Sequence, residues 1–208
     1  MKQDALGYFK NPKQYNEFVD SLDIYNGWKI TKGLMNARGE IIRHKSYANQ
    51  LRRMFSLKKA FRREVSISEI VSWLDSFVIM SRVIDNLKKS ISNEEYDKIE
   101  IYFEYIIKMS KKMRIDFIIK YNESLLLLEM RMVDNFKKIK GTWTKKKSEL
   151  LIYKELISNY IEDKRILTYA FISLYEYNGK EKDLAHVKYN NDQAQYLAEY
   201  IRKFIINR

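Results

Sequence analysis

The chain has 208 residues, 46% of them hydrophobic, which is enough for one domain with a buried core. It contains no cysteine, which excludes disulfides and thiolate metal sites and is compatible with a reducing cytoplasm, the predicted location. No apolar run approaches the roughly 20 residues of a membrane-spanning helix, and the N-terminus lacks the apolar segment of a signal peptide, so no membrane partner is expected.

The formal net charge is +12, and the positive charge is concentrated in three segments without acidic residues. Eight Lys or Arg lie in residues 41–63, six in residues 137–147 and four in residues 108–114. These segments together carry +18, so the rest of the chain carries −6. Such patches favour a polyanionic partner, and nucleic acid is the partner predicted here. An ordinary solvated surface is the alternative.

The first 40 residues are expected to form short helices and loops. Three glycines punctuate them: Gly27, Gly33 and Gly39. Residues 46–64 carry apolar side chains at helical spacing, which predicts a helix. Three basic residues of this helix share a narrow stripe opposite its apolar face: Arg52, Lys59 and Arg63. The stripe could follow a phosphate backbone, or it could be a solvated basic face; both interpretations stay open.

Beyond residue 65 the hydrophobic pattern alternates between helices and strands. A helix is predicted from Ser66 or Ser68 to about residue 89. Glu69 lies in its first turn, where the helix dipole favours a carboxylate. Residues 99–107 then show the alternation of a strand, with the odd-numbered residues on one face.

Residues 113–133 indicate two apolar strands joined by a short polar turn at residues 122–123. In that register Asp116 faces Glu129, and directly opposed residues hold their Cβ atoms about 4.5–5.5 Å apart. Two like charges at that distance repel each other unless a cation lies between them. A divalent metal with oxygen ligands is one such cation.

A further helix is predicted for residues 145–162, a long apolar strand for residues 165–177 and a last helix for residues 192–206. The helix before the long strand allows a crossover, so this strand could lie parallel to the preceding one. The expected fold is α/β, a mixed sheet flanked by helices. Residues 66–208 would form this core, and residues 1–65 an additional basic helical region packed on it.

Three segments carry the features that matter most for function. They are Ser68-Glu69-Ile70-Val71-Ser72-Trp73, Arg114-Ile115-Asp116-Phe117-Ile118-Ile119 and Leu127-Leu128-Glu129-Met130-Arg131. The order of elements along the chain is a helix with a Glu, a strand with a central Asp, a hairpin, a Glu-x-Arg strand, a helix and a further strand. Over about residues 66–206 this arrangement resembles the PD-(D/E)XK, or restriction-endonuclease-like, nuclease superfamily. It is most similar to the nuclease-like domain that precedes helicase modules in some bacterial proteins.

The resemblance implies a metal-dependent nuclease that hydrolyses DNA phosphodiester bonds. Asp116 and Glu129 would ligate Mg²⁺ or Mn²⁺ together with the main-chain carbonyl of Met130, and Glu69 would complete the metal shell or bind a metal-held water. The sequence departs from the family pattern where the Lys expected two residues after the second acid is Arg131. Arg131 could stabilise charge in the transition state, but an arginine is a poor general base because it stays protonated.

Several alternatives stay open. Arg114 lies opposite Arg131 in the hairpin register, so two arginines could neutralise the two carboxylates without a metal. Four lysines after the hairpin could form either a phosphate-gripping loop or a solvated one: Lys138, Lys140, Lys145 and Lys147. The main alternative function is a non-catalytic nucleic-acid-binding module of the same fold, and Arg131 motivates it. DNA is favoured over RNA as the partner, and His44 is a hint at an RNA endonuclease of the cap-snatching type.

Overall fold

The computed structural model describes residues 1–22, 49, 51, 53, 65–108, 113–133, 137–161, 164–176, 188–189 and 192–207. Within this part of the chain, a mixed sheet is flanked by helices on both faces, which confirms the predicted α/β class. The helix predicted for residues 46–64 lies outside the described residues except at positions 49, 51 and 53, which are helical. Arg52, Lys59, Arg63 and His44 also lie outside them.

The described helices are α1 (Pro12–Ser21), α2 (Ile67–Lys88), α3 (Asn93–Asp97), α4 (Lys137–Ser158) and α5 (Asp192–Ile201). The strands are β1 (Ala5–Phe9), β2 (Glu100–Ile106), β3 (Arg114–Tyr121), β4 (Ser124–Val133), β5 (Arg165–Glu176) and the two-residue β6 (Lys188–Tyr189). They lie side by side in the order β1-β2-β3-β4-β5-β6. β4 and β5 are connected by α4 and pair in parallel, which confirms the predicted crossover. The other neighbouring strands pair antiparallel.

Two helix starts and one strand refine the sequence-based expectations. The Ser66 hydroxyl accepts a hydrogen bond from the Glu69 N–H and caps α2, so the helix begins after Ser66 rather than Ser68. α4 begins at Lys137, eight residues before the predicted start, so the four lysines lie on a helix and the expected loop is wrong. Residues 5–9 form β1 although helices and loops were expected there, because pairing with β2 decides the conformation of so short a segment.

The sheet separates two apolar cores. One lies between the sheet and α1, α2 and α5, and the other lies between the sheet and α4. The odd-numbered residues Ile101 and Phe103 pack into the first core, but Tyr105 packs into the second. Glu104 between them has φ +50°, a left-handed conformation that resets the side-chain alternation. The expectation of one shared face along this strand is therefore wrong beyond Phe103.

The β3–β4 hairpin has the predicted register, with Ile118 opposite Leu127 and Lys120 opposite Leu125. Its two-residue turn places Asn122 at φ +48°, a conformation that asparagine tolerates better than most residues.

In the part of the chain described, no helix is both long and apolar enough to cross a membrane.

Candidate active site

A cleft of about 680 Å³ opens at one end of the sheet, between the first turns of α2 and α4. The end of β2, the start of β3 and the end of β4 form its floor. Its charged lining residues are Glu69, Asp75, Glu104, Arg114, Asp116, Arg131 and Lys138. Three of the four predicted catalytic side chains, those of Glu69, Asp116 and Arg131, therefore line one cavity.

The hairpin brings Asp116 and Glu129 together at the edge of this cleft. The last ladder pair joins Phe117 and Leu128. Beyond it, Asp116 Oδ2 accepts a hydrogen bond of 2.7 Å from the Met130 N–H, and the Asp116 N–H donates at 3.4 Å to Glu129 Oε1. Each acid thus contacts the backbone of the opposite strand, as the predicted register requires.

Glu129 is 2% exposed, and its counter-charge is a residue that the sequence analysis missed. Lys146 Nζ lies 2.7 Å from Glu129 Oε2 and 2.7 Å from Glu149 Oε2. Burial and the nearby charge of Asp116 raise the pKa of Glu129, while Lys146 opposes that shift. The sequence pattern predicts phosphate contacts for the exposed neighbours Lys145 and Lys147 and gives no role to Lys146.

The helical phase of α4 contains the signal that identifies Lys146. Lys146, Leu150, Tyr153 and Ile157 follow one another at intervals of four, three and four residues, which places them on one face of a helix. Leu150 and Ile157 are buried against the sheet, so Lys146 points inward at the end of that face. This signal becomes readable only once the helix is known to extend back to Lys137.

Glu104 is the second site residue that the sequence analysis missed. It is 6% exposed; its Oε1 accepts a 2.8 Å hydrogen bond from Trp73 Nε1, and its Oε2 lies 2.8 Å from Arg114 Nη1. Burial and the charge of Asp116 raise its pKa. An acid in the middle of the apolar run Ile-Tyr-Phe-Glu-Tyr-Ile was the available signal. Its positive φ is a strain of the kind that concentrates at functional sites.

In the metal-free alternative, Arg114 would help to neutralise Asp116 and Glu129, but its ion pairs are formed with Glu69 and Glu104. Its guanidinium donates at 2.8 Å to Glu69 Oε1 and also pairs with Glu104. Glu69 is thereby tied to Arg114 within the cleft. Arg131 is exposed at the cleft, and no acidic residue in the described part of the chain forms an ion pair with it. Its charge still lies close enough to lower the pKa of Asp116, which burial raises.

The acids of the cleft and the hairpin lie among several cations. The carboxylates of Glu69, Glu104, Asp116 and Glu129 have Arg114, Arg131 and Lys146 nearby, and Lys138 lines the same cleft. Each carboxylate in the interior of a protein needs a counter-charge or a proton. Burial raises the pKa of Glu104 and that of Glu129 in spite of these cations, which favours a bound proton or an additional cation beside them.

The donors suit a hard divalent cation, but they are not arranged as a finished metal site. Carboxylate and carbonyl oxygens are the ligands that Mg²⁺ and Mn²⁺ prefer. Among the described residues, however, no group of three or more acidic or histidine side chains is placed to hold a metal ion. Asp116 and Glu129 fit such an ion by donor type, and Lys146 competes for Glu129.

Comparison with known proteins adds no relative. No family model, curated protein or solved structure matches the chain significantly. The likeness to the restriction-endonuclease-like superfamily therefore stays a prediction, and the arguments on function depend on the geometry of the cleft.

The predicted phosphate-binding lysines that can be located are all exposed on α4 but do not form one patch. Because each helical residue turns by about 100°, Lys138 and Lys145 lie on one flank, while Lys140 and Lys147 lie on the opposite flank. Lys138 lines the cleft, and Lys147 lies 4.9 Å from the centroid of the Trp143 ring. The helix therefore presents positive charge on both sides of its buried face.

The stability of the protein is expected to fall as the pH rises from about 5 to about 8. Burial and Asp116 raise the pKa of Glu104 from 4.5 to about 8, so the folded protein keeps a proton that the unfolded chain releases in this window. The free energy of unfolding should decrease by about 3–4 kcal/mol. Urea denaturation in EDTA at both pH values measures the change. Glu104→Gln, which cannot ionise, should reduce it, and a pH profile as steep as that of the wild type would assign the proton elsewhere.

Proposed function

We propose that this protein is a metal-dependent nuclease that hydrolyses DNA phosphodiester bonds. The observation that carries the proposal is a cleft in which Asp116 lies beside the exposed Arg131, with the buried carboxylate of Glu129 next to Asp116. A divalent cation would balance the carboxylates, and a phosphate would meet Arg131 and Lys138. The absence of cysteine is compatible with the cytoplasm as its location, and the basic patches favour a nucleic-acid partner, for which we propose DNA before RNA.

Asp116, Glu129 and the main-chain carbonyl of Met130 would hold Mg²⁺ or Mn²⁺, which supplies a bound water of lowered pKa and neutralises charge on the phosphate. Arg131 would bind phosphate oxygens and stabilise the charge that develops on them. The pKa of Lys146 is raised, chiefly by Glu129, against the effect of burial. Lys146 would therefore act as a fixed positive charge that positions Glu129, and not as a base.

A non-catalytic nucleic-acid-binding module is the second candidate. The ion pair between Lys146 and Glu129 favours it, because Lys146 already occupies one of the proposed metal ligands. Such a module would bind nucleic acid in a salt-sensitive manner and would cleave nothing with any divalent metal. The cap-snatching type of RNA endonuclease depends on His44, which lies outside the described residues, and stays a prediction.

Cleavage of plasmid and single-stranded DNA with Mg²⁺ or Mn²⁺ tests the first proposal. Glu129→Ala should lower the rate by on the order of a hundredfold or more, because it removes a metal ligand. Glu149→Gln is the matched control, since Glu149 contacts the same Lys146 from the helix and should be dispensable.

Equal cleavage by wild type and Glu129→Ala would reject the proposal, because a contaminating nuclease would then explain the activity. Binding without cleavage would favour the second candidate. Failure to bind any nucleic acid at about 50 mM salt, where phosphate contacts are strong, would point to an acidic protein as the partner.

A further inference from the structure

A second groove lies on the flank of α4 that faces away from the cleft. It has a volume of about 370 Å³ and runs between α4 and β5. The residues that matter for its chemistry are Ile139, Trp143, Lys147, Leu150, Tyr169 and Gln193. The volume is within the range of about 300–1,000 Å³ that small-ligand sites occupy. The groove thus combines apolar and aromatic walls with one cation at its rim.

Trp143 is the unusual residue of this groove. It is 44% exposed, whereas Trp73 in α2 is 3% exposed. The Lys147 ammonium lies 4.9 Å from its ring centroid, a cation–π contact that holds the indole in place. The indole face opposite Lys147 can stack with a base, while the ammonium can contact a phosphate beside it.

The surrounding charge identifies the kind of ligand. The first three turns of α4 carry six lysines, and the first acid of the helix is Glu149. Cations near a helix N-terminus are disfavoured by the helix dipole and by their mutual repulsion. A polyanion lying across these turns would relieve both effects. Lys138 on the cleft side and Lys140 on the groove side give such a chain contacts along its path.

The first turns of α4 separate the cleft from the groove. Lys138 and Thr142 line the cleft, while Ile139 and Trp143 line the groove. A flexible polyanion that passes over the helix would therefore reach both cavities. A base can enter the groove only if it is unpaired, because a duplex keeps its bases stacked inside.

We infer that the groove between α4 and β5 is a nucleobase site for single-stranded nucleic acid, in which a base stacks on Trp143 while the backbone crosses the lysines of α4. The inference deepens the proposed function and rests on it, since it assigns a single-stranded segment to the substrate whose phosphate enters the cleft.

Binding measured in EDTA at about 50 mM salt tests the site without any need for turnover. The probes are a short oligothymidylate, an abasic strand of equal length and charge, and a duplex. The wild type should bind oligothymidylate about tenfold more tightly than the abasic strand, as expected for stacking of one base. Trp143→Ala should abolish this preference, and Trp143→Tyr should restore most of it.

Leu151→Ala is the matched control, because Leu151 is 53% exposed on the same helix and is absent from the lining of the groove. It should keep the full preference. Equal binding of oligothymidylate and the abasic strand by the wild type, or an unchanged preference in Trp143→Ala, would overturn the inference. A preference that depends on Trp143 in a protein that cleaves nothing would support the groove and reject the nuclease. Metal-dependent cleavage without any base preference would support the nuclease and reject the groove as a nucleobase site.

Discussion

Replacing Lys146 with methionine is expected to lower the free energy of unfolding by about 3 kcal/mol in the absence of divalent metal. Glu129 is buried, and Lys146 Nζ lies 2.7 Å from its carboxylate, so the substitution leaves a buried acid without its counter-charge. Methionine keeps most of the aliphatic stem of lysine, so loss of packing contributes little. Urea denaturation in EDTA measures the difference.

Lys145→Met is the matched control for this prediction. Lys145 is exposed on the neighbouring position of the helix, and its replacement should change stability by no more than about 0.5 kcal/mol. Combining Lys146→Met with Glu129→Gln should recover much of the loss, because no unpaired charge then remains. If Lys146→Met costs no more than Lys145→Met, Glu129 does not depend on Lys146.

The same variant separates the structural and catalytic roles of the acids. If Asp116 and Glu129 bind Mg²⁺, the ion should stabilise Lys146→Met more than it stabilises the wild type, since no lysine competes for Glu129. An equal shift of the unfolding midpoint in both proteins would indicate that the metal binds elsewhere or not at all. The measurement needs no substrate, so it tests the metal site apart from nuclease activity.

The hairpin was predictable because its information is local. Two apolar runs and the two-residue polar turn between them fix the register of β3 and β4. That register alone places Asp116 near Glu129, which the contacts of both acids with the opposite backbone confirm. The parallel pairing of β5 with β4 was predictable for a similar reason, since a helix between two strands allows the crossover that joins them.

Glu104 and Lys146 could not be assigned in the same way, because their partners are distant in the sequence. Glu104 on β2 meets Trp73 of α2, 31 residues away. Lys146 belongs to a run of three lysines, and only the phase of α4 against the sheet decides which one points inward. The two missed residues thus come from contacts between elements: Lys146 pairs with Glu129, and Glu104 lies close enough to Asp116 for their charges to interact.

Arg131→Ala is expected to lower kcat/KM for DNA cleavage by about 10²–10³-fold, the range typical for removal of one group that stabilises transition-state charge. Arg131 is exposed at the cleft and its charge reaches Asp116, so a phosphate held near Asp116 would lie within reach of the guanidinium. Stability should change little, because no acidic residue of the described chain pairs with Arg131. Single-turnover cleavage with Mg²⁺, together with thermal unfolding, measures both effects.

Arg131→Lys and Lys140→Ala complete the comparison. Lysine keeps the positive charge, so Arg131→Lys should retain activity within about tenfold, although it loses the bidentate geometry of the guanidinium. Lys140 is an exposed cation on the opposite flank of α4, and its removal should weaken binding slightly without changing the single-turnover rate. Cleavage by Arg131→Ala at the wild-type rate would remove Arg131 from the mechanism. An inert wild type with an active Arg131→Lys variant would show instead that arginine at this position is what suppresses turnover, since lysine can lose a proton and arginine cannot.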